Sequence, residues 1–170
     1  LTKILSALDQ GASVVNSLLA AARREELLPQ TLVIAEVLKD IEPLVVTTLG
    51  SNIELQIIND APDCSVSVDR SAFARALLNL ALNAKEAMSG RGRCTLKARL
   101  QDIDEKHPQV QKGDVKKGVF VCIEFSDNGP GMSQEVRQRA FQPFYTTKKT
   151  GSGLGLASVA VFAIQSGGFA

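Results

Sequence analysis

Apolar residues recur at Ile4, Leu8, Val15, Leu18, Leu19 and Ala22, three and four positions apart, along the stretch from Thr2 to Arg24. That interval is the period of an amphipathic helix or of a coiled-coil seam. Gly11 interrupts the stripe at a cost of ~1 kcal/mol relative to alanine, and Pro29 marks its end. Two readings fit: a surface helix packed on the body of the protein, or a helix of a dimeric hairpin, whose seam runs on beyond what a compact domain needs. A second helical period covers Ile34 to Leu49, with Pro43 placed to bend or split it. The pattern then changes to alternation, and Asn52 to Asn59 and Ser65 to Val68 read as strands. Asp69 stands where a helix N-cap belongs. The helix that follows, to about Met88, is expected to bury Phe73, Leu77, Leu80, Ala84 and Ala87.

Beyond that helix, Gly90-Arg91-Gly92 turns the chain into a strand in which Cys94, Leu96, Ala98 and Leu100 alternate with Thr95, Lys97 and Arg99. Residues 101 to 117 are charged and poor in apolar side chains, which predicts a solvated hairpin loop. Val119 to Phe125 is a rich strand whose odd positions are all apolar and share one face. A glycine turn, a short helix from Ser133 to Ala140, a polar stretch and a last helix from about Gly153 complete the chain. Helices mixed with hairpin-linked strands, without strict strand–helix alternation, predict an α+β sandwich.

Composition narrows the function classes. The 170 residues are 45% hydrophobic and 22% charged, ordinary for a globular protein and enough to bury roughly 70% of the unfolded surface. Nineteen basic and eighteen acidic residues leave a net charge of +1, so no global field argues for a nucleic-acid or membrane-surface partner. One tyrosine and no tryptophan weaken a base-stacking surface further. Cys64, Cys94 and Cys122 have no metal-ligand spacing and fit free thiols in a reducing compartment. No apolar run is long enough to span a bilayer, so the expected location is cytoplasmic, with membrane anchoring of the parent left open. The opening on Leu1 and the stop within Ser166-Gly167-Gly168-Phe169-Ala170 read as the ends of a fragment.

Three clusters carry candidate chemistry. Asn79, Asn83 and Glu86 are spaced four and three apart, on one helix face. This is either surface polarity or a site for Mg²⁺, for which an amide oxygen is a suitable hard ligand. Asp127-Asn128-Gly129-Pro130-Gly131-Met132 follows the rich strand directly. Asp127 continues the odd face, so its carboxylate should point at the covering layer and seek a donor such as an exocyclic amine. Gly129 and Gly131 permit positive φ and close approach of a flat ring; a plain glycine turn with a capping Asp is the alternative. Finally, Thr146-Thr147-Lys148-Lys149-Thr150 precedes Gly151-Ser152-Gly153-Leu154-Gly155-Leu156. Free N–H groups and the positive end of the dipole make such a helix entry a phosphate site, with a flexible linker as the alternative. It matches neither the P-loop pattern nor a Rossmann turn.

The order and spacing of these clusters resemble the ATP-binding catalytic domain of sensor histidine kinases, part of an ATPase superfamily shared with gyrase, heat-shock chaperones and mismatch-repair proteins. Asn79–Met88 is similar to the family's N box and Asp127–Met132 to its first glycine box. Phe141–Lys148 is similar to the phenylalanine box and Gly151–Leu156 to the second glycine box. The resemblance covers roughly residues 31 to 168, and Thr2 to Leu28 resembles the second helix of the dimerisation and phosphotransfer hairpin. It implies a two-layer sandwich of a mixed β-sheet covered by helices over 29–170, with the final strands missing, preceded by a partial hairpin helix over 1–28. It implies ATP and Mg²⁺ as cofactors, with Asn83 on the metal and Asp127 on the adenine amino group. Gly129, Gly131 and Met132 would line the base pocket, and Thr146, Thr147 and Lys148 would form a lid, Lys148 near the γ-phosphate. Backbone amides of Gly153 to Leu156, preceded by Gly151 and Ser152, would hold the phosphates, and Asn79 would brace the metal site. The implied partners are a histidine-bearing hairpin helix, a response-regulator receiver domain and a second subunit.

Two departures matter. Many family members carry a basic residue three after the metal Asn, where this chain has Glu86, with Lys85 one earlier and projecting away from Asn83. Superfamily members that hydrolyse ATP resemble one another in having Glu where this chain has Asn79, an amide that cannot act as a general base. A site without a base suits donation to an outside nucleophile, so a kinase is expected over an ATPase. His107, the one histidine, precedes Pro108 and is steered away from helical geometry; it is expected to be a surface residue, not the acceptor. A degenerate nucleotide-binding scaffold and a chaperone- or mismatch-repair-type ATPase are the rival readings.

Overall fold

A computed structural model describes residues 27–148 and 151–170, so the helix expected over Thr2 to Arg24 lies outside the described residues. In chain order the elements are β1 (Gln30–Val33), α1 (Ile34–Leu49), β2 (Ile53–Asn59), β3 (Ser65–Val68), α2 (Arg70–Ala87), β4 (Gly92–Ile103), α3 (Pro108–Gln111), β5 (Gly118–Asp127), α4 (Gln134–Arg139) and α5 (Gly155–Gln165). The expected α+β architecture with a mixed sheet is the one found. Strands β2, β4 and β5 lie in that order, β2 parallel and β5 antiparallel to β4, while β1 and β3 form a separate antiparallel pair.

Register explains which face is buried. Leu55, Cys94 and Asp127 stand in one row across the three strands, and Ile57, Leu96 and Phe125 in the next. Side chains in such rows share a face. Cys94, Leu96 and Ala98 are fully buried there against Ile34, Val45 and Leu49 of α1 and Phe73, Leu77, Ala81 and Ala84 of α2. Each large side chain so buried contributes about 1.5–3 kcal/mol. The opposite face is polar, with Arg93 on Glu54 at 3.0 Å and Arg99 on Glu124 at 2.6 Å.

Helix α2 forms because its start is capped and its interior has no Val, Ile or Thr. Asp69, in extended geometry, accepts from Ala72 N at 2.8 Å. The same carboxylate accepts from Leu28 N at 3.0 Å, tying the start of the described chain to the helix cap.

Several expectations are corrected. Pro43 does not split α1, which runs unbroken through it with Ile41 and Val45 buried on either side. On α2, Ala87 is exposed and Leu80 only half-buried, while Ala72, Ala76 and Ala81 join the buried face. The 101–117 segment is not simply a solvated loop. Strand β4 continues to Ile103, α3 forms within the segment, and Ile103 and Val115 are buried. His107 is extended, as its proline neighbour requires, yet it is half-buried and structural. Its Nδ1 accepts from Gln109 N at 3.3 Å as the N-cap of α3, and its ring lies 5.1 Å from that of Phe169. The short and last helices begin one to two residues later than expected, α4 after a Ser133 cap.

Candidate active site

Helix α2 is the platform. Asn79, Asn83 and Glu86 share one of its faces, and each meets a group from further along the chain. Asn79 Nδ2 donates to Ser158 Oγ at 2.8 Å, and Ser158 Oγ donates to Gly155 O at 2.8 Å. Asn83 Oδ1 accepts from Lys148 Nζ at 3.2 Å, and the Glu86 carboxylate pairs with the same ammonium. Lys85 turns the other way, its Nζ donating at 2.8 Å to Thr48 O near the end of α1.

Helix α5 opens against this face. A Cβ on Gly155 would stand 3.5 Å from Asn83 Nδ2. Leu154 is the N-cap and provides no side-chain cap, which leaves first-turn N–H groups for an outside acceptor. Gly153 (φ +68°) accepts through its carbonyl from Phe144 N at 2.9 Å, and a side chain there would collide with the Phe144 backbone. Phe144 itself has φ 66°, a left-handed conformation that costs a non-glycine residue energy. This contact fastens the segment carrying Lys148 to the α5 entry. Arg139 also packs on the segment, its guanidinium 4.2 Å from the centroid of the Tyr145 ring. Thr146 Oγ1 accepts from Lys148 N at 3.0 Å, and a Cβ on Gly151 would approach it to 2.7 Å. Thr147 and Ser152 are exposed and Leu156 is half-buried.

The Asp127 cluster lies just past Asn83 and Glu86, at the C-terminal end of α2. Asp127 closes β5 opposite Cys94, so its carboxylate points to the helix side of the sheet, beyond the helices' full cover. Burial pushes the Cys94 thiol up to about 11, and the Asp127 charge adds to the effect. Asp127 Oδ1 accepts from Gly129 N at 2.9 Å. A Cβ on Gly129 would lie 2.7 Å from that oxygen and 3.4 Å from both the Ala87 carbonyl carbon and Met88 Cγ. Gly129 thus keeps a narrow gap open between a carboxylate and the end of α2. Of the two glycines, only Gly131 uses positive φ (74°), and Met132 is exposed. Asn128 fastens the turn to β4, with Oδ1 accepting from Arg93 N at 2.9 Å. Beside the turn is an open cleft of about 370 Å³, lined by Ala87, Met88, Ser89, Arg91, Asn128, Gly129 and Pro130. It flanks the carboxylate end of the site and does not extend to Asn83 or Gly155.

Two further contributors escaped the sequence reading. Ser158 is the one hydroxyl in an otherwise apolar run, GLASVAVFAI, which is the signal that could have found it. Arg139 has no comparable signal, since its partner Tyr145 lies across a turn.

Comparison with known proteins gives the same reading. The profile of the histidine kinase-, DNA gyrase B-, and HSP90-like ATPases matches residues 68–169. The chain is 36% identical to the sensor kinase CckA of Brucella abortus (strain 2308) over 95% of its own length and 17% of the relative's. Among solved structures, full-length ShkA in complex with AMPPNP is 27% identical with a TM-score of 0.66, covering 95% of this chain and 32% of that one. The histidine kinase ThkA, solved in complex with the response regulator protein TrrA, shares the fold at 24% identity and a TM-score of 0.57, covering 86% and 38%. The chain therefore spans between 17% and 38% of these larger proteins. Among the described residues no helix is long and apolar enough to cross a membrane. By its match to that profile, the chain belongs to the histidine kinase-, DNA gyrase B-, and HSP90-like ATPase family.

Proposed function

We propose that this domain binds Mg-ATP in the space bounded by α2, the Asp127–Gly129 turn and the start of α5, and donates the γ-phosphoryl group to a histidine of the parent protein. The observation that carries the reading is the meeting of Asn83, Lys148 and the uncapped start of α5 on the C-terminal half of α2, whose last residues also face the Asp127–Gly129 turn. The residues fit the ligand. The bare backbone at Gly129, where even a methyl group would crowd Asp127 Oδ1, lets a flat base approach the turn closely, with the Asp127 carboxylate as acceptor for an exocyclic amine. Backbone amides from Gly153 to Leu156, leading into and opening α5, suit phosphate oxygens, and the Asn83 amide oxygen suits a magnesium ion that shares those oxygens. When bound, the metal supplies charge neutralisation for phosphoryl transfer.

The chain's own residues then have distinct tasks. Asp127 selects and orients the base, Asn83 fixes the metal end, and Lys148 brings a positive charge to the terminal phosphate. Asn79 holds α5 through Ser158 and supplies no base. Water is therefore not activated, and an imidazole nitrogen brought by a hairpin helix is the acceptor, ADP leaving. Residues 29–170 form the ATP-binding unit and residues 1–28 part of that hairpin in a homodimeric parent. A response-regulator receiver, of the kind bound to ThkA, would take the phosphoryl group next.

Calorimetric titration with Mg-ATP, followed by transfer of labelled γ-phosphate to a supplied histidine hairpin, tests this. Saturable binding and a labelled hairpin are expected. Absence of binding would return the scaffold reading, and steady phosphate release without a hairpin would return the ATPase reading.

A further inference from the structure

The contact that neither the fold nor the proposed chemistry requires is the one between Glu86 and Lys148. Glu86 lies one helical turn beyond Asn83 on the same face of α2, and the Lys148 ammonium is shared between the two, accepted by Asn83 Oδ1 at 3.2 Å and by the Glu86 carboxylate. The pair spans 62 positions in sequence and joins α2 to the segment that the Phe144–Gly153 contact fastens to α5. An asparagine oxygen alone is a weak neutral acceptor for an ammonium. The carboxylate beside it supplies the charge that holds Lys148 there.

We propose that Glu86 is a positioning residue that latches Lys148 over Asn83, so that Mg-nucleotide binding has to displace the ammonium from the oxygen it needs. The inference rests on the reading of Asn83 as the metal ligand and Lys148 as the phosphate-facing lysine. A cation already occupies the place where a metal cation would be coordinated, and it is tethered by an anion that is not itself consumed in binding. A terminal phosphate competes with Glu86 for the same ammonium, and its loss after transfer returns Lys148 to the carboxylate. Glu86 thereby opposes nucleotide capture. The side chains of Lys148 and Glu86 are 39% and 46% exposed, so solvent screens the latch and its effect is modest.

The test uses the intact domain and two readouts. Amide hydrogen exchange of residues 145–148 without nucleotide reports the latch directly, independently of any nucleotide. Exchange there is expected to rise about two- to fivefold in Glu86→Gln, the range of an exposed ion pair. Lys148→Gln should raise it similarly, and the double variant should add little more, the non-additivity expected of two groups in one contact. Calorimetry should then give Mg-ATP affinity in Glu86→Gln tighter by about the same factor. Unchanged exchange in Glu86→Gln, or additive exchange in the double variant, would overturn the latch. Weaker Mg-ATP binding in Glu86→Gln would also overturn it and make Glu86 part of the ligand site. If the unmodified domain bound no nucleotide at all, the function proposed above would fall, while the exchange measurement would still decide whether Glu86 holds Lys148.

Discussion

Asn79 Nδ2 donates to Ser158 Oγ across 2.8 Å, so a residue from the middle of α2 grips the first turn of α5, 79 positions later. The relay ends on the carbonyl of Gly155, the residue that stands against Asn83. The two amides on the α2 face therefore divide their work: Asn83 meets the lysine and Asn79 sets where the α5 entry lies. Ser158→Ala and Asn79→Ala should each lower Mg-ATP affinity by roughly two- to tenfold, the loss of one hydrogen bond of about 0.5–1.5 kcal/mol. The double variant should lose little more than either alone. Calorimetry on the four proteins checks this, and full additivity would separate the two residues.

Asp127→Asn keeps the side-chain shape and can still accept from Gly129 N. It replaces an oxygen facing the proposed exocyclic amine with a donor, so donor meets donor. Binding of Mg-ATP should fall below calorimetric detection, by at least about ten- to hundredfold for a charge-assisted bond worth about 1.5–3 kcal/mol. Gly129→Ala provides an independent check, since its methyl group would enter the gap between Asp127 Oδ1 and the end of α2. Unchanged affinity in both variants would move the base elsewhere.

Asn83→Ala removes the amide oxygen without touching the Asp127 end of the site. Nucleotide should still bind, but affinity should lose its dependence on Mg²⁺, and transfer to a supplied hairpin should drop by at least about a hundredfold, in keeping with lost charge stabilisation of about 2.7–4 kcal/mol. Titrations with and without Mg²⁺, paired with single-turnover transfer, separate the two effects. Normal transfer would clear Asn83.

Much of this was legible before the structure because local rules and tertiary needs agree. The bounds of α1 followed from its apolar period, and the Asp69 cap from an acceptor preceding a helix-forming run. Where they disagreed, packing prevailed: Pro43 costs α1 a hydrogen bond, yet Ile41 and Val45 bury on either side and keep the helix whole. The 101–117 segment looked solvated because its two buried residues, Ile103 and Val115, are too sparse to set a period. Site residues could be found as types in an order. The partnership of Glu86 with Lys148 could not, since it depends on how a distant segment returns to α2.

The Asp69 carboxylate sets a pH dependence for the same platform. Its pKa is held below the ordinary 3.8, chiefly by the hydrogen bond from Ala72 N and next by that from Leu28 N. A group whose folded pKa is depressed binds its proton more readily when unfolded, so it stabilises the fold above the unfolded value and loses that contribution as pH falls through the folded one. Asp69→Ala should therefore destabilise the domain by about 1 kcal/mol near neutrality, the usual worth of an N-cap, and frees the Leu28 amide as well. The gap in Tm between the two proteins should be constant from pH 7 down to about 5 and close as the pH drops below the ordinary carboxylate range. Thermal melts of both proteins across that range measure it. A gap that persists undiminished in acid would mean that Asp69 acts through shape and not through its charge, and that the joint between residue 28 and α2 does not depend on ionisation.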